Sequence, residues 1–187
     1  MRTWAQVVAT SGLVLWLGTE PASAGQSPTG AVCLVVIHQV DVSEQVLADA
    51  LVTAERLFGS IGVPLVSGSP SGCRHSVVVK IVSGRQVGPM DRSGRALGFS
   101  IIEANIAYVV HDRIERYAVE RRVPLSAALG LVIAHEVGHL LIGRPAHTDV
   151  GLMRQSWTDD DFRRAANGLG FTSENARTIQ QRLVGSK

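Results

Sequence analysis

Residues 124–143, "PLSAALGLVIAHEVGHLLIG", constrain the fold more than any other stretch of the chain. The segment is apolar on every side, and a helix of that kind belongs in an interior. Pro124 suits the beginning of the helix. Gly143 and Pro145 end it, because glycine accepts positive φ and proline forbids further helix. The rest of the chain must therefore wrap around this helix. Yet the helix also carries His135, Glu136 and His139. Burying two imidazoles and a carboxylate without partners is strongly unfavourable, and a bound metal ion removes that cost.

The spacing supports the metal. Two histidines four apart leave the same side of a helix, one turn from each other, so both can reach a single ion. Glu136, beside the first of them, is placed to accept a proton from water activated by that ion. A catalytic zinc takes three protein ligands and keeps one position open. The chain must then turn back soon after His139, and Gly143 and Pro145 provide the turn. His147 arrives eight residues after His139 and is the expected third ligand, with Asp149 the alternative. Asp159–Asp161 and Glu174 fit helix starts instead.

The whole chain has 187 residues, 45% of them hydrophobic, and a formal charge of +2. This is the profile of one soluble domain, and without a Lys/Arg run it gives no footprint for nucleic acid. The first 24 residues stand apart. Arg2, the apolar run "VVATSGLVLWLG" and the small residues Ala22 and Ala24 read as a signal peptide cleaved after Ala24. A membrane anchor is the other reading, but the run is shorter than the roughly 20 residues that a spanning helix needs. The mature domain is then 25–187, exported to a periplasm or beyond, with no membrane partner after signal removal. In an oxidising compartment Cys33 and Cys73 are expected to form one disulfide, two buried thiols being the alternative. Neighbouring parallel strands starting side by side would bring them together.

The order of elements suggests an α/β (α+β) domain with a mixed, mostly parallel sheet. Strands are expected at 31–40, 63–66 and 76–82, with a helix over 42–62 that Ser43 caps and Gly59 or Gly62 stops. A polar loop, 83–95, precedes paired strands at 96–102 and 105–112 and a short helix at 113–122. After the central helix, one small helix follows Thr158 and another follows Thr172, with Ala176, Ile179 and Leu183 on one face. His38 and His111 fall in expected strands and His75 borders a loop; none is assigned to the site.

The stretch "HEVGHLLIGRPAHTDVGLM" resembles the metzincin zinc metallopeptidases, and in particular small secreted bacterial proteins with an H-E-x-x-H motif. The resemblance implies zinc on His135, His139 and His147, Glu136 as general base, Gly143 as the turning glycine and Met153 as the methionine beneath the metal. It also implies a minimal metzincin-like core, with an edge strand, Leu97, Gly98, Phe99 and Ser100, that binds peptide substrate as an added strand. The sequence departs from the family pattern in three places. The glycine comes one residue late, the third histidine two residues late, and no tyrosine closely follows Met153. Trp157 is a candidate for the pocket wall there, and equally for the core.

The resulting expectation is a secreted, monomeric, zinc-dependent endopeptidase using one zinc ion on peptide or protein substrates. A non-catalytic zinc-binding or protein-interaction module is the alternative, in which Asp149 would close the open coordination position. Zinc-dependent hydrolysis of another kind of bond is a third reading.

Overall fold

The β-branched run after Gly30 forms β1 (Val32–His38), which lies between two parallel neighbours, β2 (Leu65–Ser67) and β3 (His75–Val82). β3 pairs in parallel with β5 (Ile106–Val110), and β4 (Gly98–Ile101) runs antiparallel to β5 at the sheet edge. The order across the sheet is β2-β1-β3-β5-β4. These relations come from a computed structural model that describes residues 30–68, 73–88, 90–91, 93–145, 147–158, 160–162 and 169–185. The expected signal peptide, 1–24, lies outside them. So does most of the small helix expected after Thr158, although residues 160–162 are helical.

Helices cover the sheet. α1 (Glu44–Gly59) connects β1 to β2, α2 (Gly84–Val87) follows β3, α3 (His111–Arg121) follows β5, and α4 (Leu125–Ile142) and α5 (Ser173–Gly185) complete the described chain. Every residue of α4 from Ala128 to Ile142 is buried. α4 is long and apolar enough to cross a membrane, and here it is the core of the domain, packed against α1, α3, α5, β4 and β5. Each large side chain that it buries contributes about 1.5–3 kcal/mol, so this packing dominates any local preference. Gly130 lets α1 come close: a Cβ there would lie 2.6 Å from the Ala50 carbonyl oxygen and 2.7 Å from the Thr53 Cβ. Gly143 ends the helix in the left-handed region (φ 76°), its N–H donating to the His139 carbonyl at 2.8 Å.

Cys33 and Cys73 are joined, with Cα atoms 5.9 Å apart. Register explains the bond. Val32 pairs with His75 and Cys33 with Ser76, so Cys73 sits just ahead of β3 and beside the start of β1.

Some expectations need correction. The loop 83–95 contains α2, whose start is held by the Gln86 side chain accepting the Ser83 backbone N–H at 2.7 Å. His111 is not in a strand. β5 stops at Val110 and His111 begins α3, where Asp112 accepts the Gly84 N–H at 2.8 Å. His75 does border the loop, as the first residue of β3, and its Nε2 meets the Leu183 carbonyl at 2.9 Å, tying α5 to the sheet. Ser43 stands at the α1 N-cap position without a side-chain hydrogen bond.

Candidate metal centre and cleft

Helical spacing puts His135 and His139 one turn apart on α4, with ring centroids 4.6 Å apart and Nε2 atoms facing each other at 3.0 Å. After Gly143 the chain doubles back and brings the His147 ring to 4.9 Å from His139 and 5.4 Å from His135. One nitrogen from each of the three rings lies within 4.8 Å of the others. No fourth His, Cys, Asp or Glu joins them among the described residues, and Asp149 is exposed outside the group.

The loop that carries His147 is closed on itself. Thr148 N–H donates to the Met153 carbonyl at 2.9 Å, and the Thr148 hydroxyl donates to the Val150 carbonyl at 2.8 Å. Leu152 N–H donates to the Gly170 carbonyl at 2.7 Å. Met153 is fully buried against α4 between the two helical histidines: a Cβ on Gly138 would lie 2.7 Å from its sulfur. The short spacing from His147 to Met153 therefore returns the methionine to the underside of the histidine turn.

The donor set fits a zinc-like ion. The His135 Nδ1 sits 2.9 Å from the Leu152 carbonyl. That acceptor fixes a proton on Nδ1 and leaves the Nε2 lone pair facing the cluster. Facing it, His139 Nε2 can donate to His135 only by leaving its own Nδ1 unprotonated, and that Nδ1 is buried without a hydrogen-bond partner. A cation between the rings resolves the conflict over the shared proton: both Nε2 atoms can then offer lone pairs, with the proton of each ring on Nδ1. Nitrogens bound tetrahedrally to one zinc stand roughly 3.3 Å apart, close to the spacing of the helical pair.

Electrostatics agree. Burial holds His135 and His139 down to about 4 from the ordinary 6.5, so both are neutral at pH 7, the form that can bind a metal. Burial also lowers His147. Glu136 is pushed the other way, from 4.5 to about 7, by burial, which the Ser100 hydrogen bond only partly offsets. A carboxyl group that titrates near neutrality can both take and give a proton.

These groups open on a cavity of about 590 Å³, whose wall includes Leu97, Gly98, Phe99 and Ser100 along β4 and Trp157 opposite. Among the described residues, β4 has a strand on one side only. The Phe99 ring turns to the far face and stacks on Tyr108 at 4.9 Å, whereas the Ser100 hydroxyl donates to Glu136 Oε2 at 2.7 Å. Thus Ser100, expected only as part of a substrate strand, also touches Glu136. Sequence reasoning missed the Leu152 carbonyl, because backbone acceptors leave no mark in residue type. It left Trp157 open. The indole donates to the same Leu152 carbonyl at 3.0 Å and packs edge-on to His135 at 5.2 Å, besides lining the cavity.

No protein-family model matches the chain, and no curated protein matches it. Solved structures do. The chain is similar to a zinc-dependent peptidase from Methanocorpusculum labreanum, with a TM-score of 0.50 and 14% identity over 79% of this chain and 99% of that one. It is similar to an archaemetzincin from Methanopyrus kandleri, with a TM-score of 0.50 and 13% identity over 86% of this chain and 99% of that one. At such identities the likeness concerns architecture: the chain has the mixed α/β fold of these two proteins, a five-stranded, mostly parallel sheet with helices packed on it.

Proposed function

We propose that the protein is an exported zinc-dependent endopeptidase. The observation that carries this reading is the convergence of His135, His139 and His147 on one point beside a buried glutamate, in a cleft bordered by an edge strand. The two solved structures named above support it at the level of fold, since one is described as a zinc-dependent peptidase and the other as an archaemetzincin. The absence of a fourth side-chain ligand among the described residues favours an open, catalytic site over a closed structural one.

His135, His139 and His147 would hold one zinc ion. When bound, zinc supplies Lewis acidity that polarises the scissile carbonyl and acidifies water. The protein's own groups do the rest. The free edge of β4 binds the peptide in extended form through backbone hydrogen bonds. Glu136 takes a proton from the attacking water and delivers it to the leaving amine nitrogen. Met153 supports the histidine turn from below, and Leu152 holds the His135 tautomer. The partner is a peptide or protein, the protein works as a monomer, and no nucleic acid or membrane takes part. The Cys33–Cys73 bond is consistent with a secreted or periplasmic location.

The test is purified 25–187 incubated with a mixed peptide library, with and without chelator, beside Glu136→Ala. The expected outcome is chelator-sensitive cleavage that falls by about 10²–10⁴-fold in the variant, with zinc content unchanged. Cleavage at the wild-type rate by Glu136→Ala would remove this residue from the mechanism.

A further inference from the structure

We propose that the inward face of β4, formed by Gly98 and Ser100, is a socket that fixes the Glu136 carboxylate, and that Ser100 is a positioning residue for it. The proposal rests on the reading of Glu136 as the base. Residues two apart in a strand share a face, and here both meet Glu136. The Ser100 hydroxyl lies 2.7 Å from Oε2 and 2.8 Å from the backbone carbonyl oxygen of the same glutamate. Its single proton can go to either acceptor, so the hydroxyl stands within hydrogen-bond reach of both ends of one residue, spanning from main chain to carboxylate.

Gly98 supplies the other wall. A Cβ there would stand 2.8 Å from Glu136 Cγ, 2.9 Å from Oε1 and 2.9 Å from the Tyr108 carbonyl oxygen. The carbonyl belongs to the β4–β5 pairing, so the glutamate would have to give way. One oxygen of the carboxylate is therefore gripped by a hydroxyl, while the other rests against bare backbone. Glu136 has a long side chain, and without these contacts its carboxylate could swing among rotamers.

The strand itself is anchored just ahead of the socket. Buried Arg113 pairs with Asp91 and donates to the Ala96 carbonyl at 2.8 Å, and Val110 N–H donates to the Leu97 carbonyl at 2.8 Å. The consequence is a mechanical link between binding and chemistry. A peptide added to the outer edge of β4 takes its register from the strand whose Gly98 and Ser100 hold the base, so docking and alignment share one reference.

Two experiments test this. In steady-state peptide cleavage, Ser100→Ala should lower kcat at least about tenfold, leave KM within about threefold and keep zinc content at the wild-type level. Ser100→Thr, which keeps the hydroxyl, should restore most of the rate. Wild-type kcat in Ser100→Ala would overturn the proposal. The second readout needs no turnover: urea unfolding of zinc-free protein, comparing Ser100→Ala in the wild-type and Glu136→Ala backgrounds. The serine substitution should lower the midpoint more when the Glu136 carboxyl is present; an equal drop in both backgrounds would overturn the socket. Should wild-type protein cleave no peptide, the endopeptidase reading fails, and the urea comparison still decides whether Ser100 holds Glu136.

Discussion

Three neighbouring side chains on α4 give the zinc-free protein a pH dependence whose sign can be worked out. In an unfolded chain the imidazoles of His135 and His139 titrate near 6.5, and in the fold they titrate near 4. Between those values the unfolded chain binds two protons that the folded chain refuses. Glu136 acts in the opposite sense: raised from 4.5 to about 7, it keeps a proton in the fold that the unfolded chain releases. From about pH 6.5 down to about 4.5 these three groups together bind about one proton more in the unfolded state, a loss of about 1.4 kcal/mol of stability per pH unit on acidification, and the lowered His147 acts in the same sense. Urea midpoints of chelated protein across that range measure the slope; a flat or rising profile on acidification would contradict the burial of the two rings. At this scale the sequence was informative about which histidines meet, since two histidines four apart on an apolar helix leave the same side. It placed Ser100 in an edge strand but was silent on its contact with Glu136, because a two-residue period says that Gly98 and Ser100 share a face without saying which helix that face meets.

Among the elements, α4 was the most legible and carries the most. Its uninterrupted apolar character requires burial, and its terminating Gly143 lies in the left-handed conformation that the sequence suggests. Gly130, by contrast, reads in sequence as a mere weak point in a helix, whereas its role is the close approach of α1 to α4. Gly130→Leu should push the two helices apart and destabilise the protein by at least about 1–3 kcal/mol, the usual range for overpacking. Chemical denaturation measures it, and an unchanged midpoint would mean that the contact is slack. α2 is hard to see in the sequence although Ser83 and Gln86 have the spacing of a capping box. Four residues within a polar, glycine-containing stretch show no hydrophobic period, and only the cap announces them. The misplacement of His111 has a similar cause: the apolar run of β5 continues into a helix without a turn residue to separate them.

For the molecule as a whole, the succession of strands and helices could be read from the chain, but the order β2-β1-β3-β5-β4 could not, since it depends on which edges meet in space. The Cys33–Cys73 bond follows from that order, because β1 and β3 are neighbours only across a crossover. The bond closes a loop of 40 residues. A loop of that length stabilises the fold by about 4 kcal/mol when the loss of chain entropy in the unfolded state dominates. Replacing both cysteines by serine should lower the melting temperature clearly while leaving the metal site intact, as zinc content and melting of the same sample would show; an unchanged melting temperature would mean that the bond contributes nothing. The disulfide clamps one end of the sheet, and α4 fills its face. The metal site stands apart from the disulfide: α4 carries two of its histidines, and the segment after Gly143 delivers His147 to them.

In the proposed enzyme these three imidazoles share one zinc ion and leave a position for the reaction. X-ray absorption at the zinc edge of purified 25–187 tests it most directly. One zinc per chain, with three imidazole nitrogens near 2.0–2.1 Å and one oxygen ligand from water, is the expected result. Protein that retains no zinc, or zinc bound by fewer than three imidazoles, would contradict it.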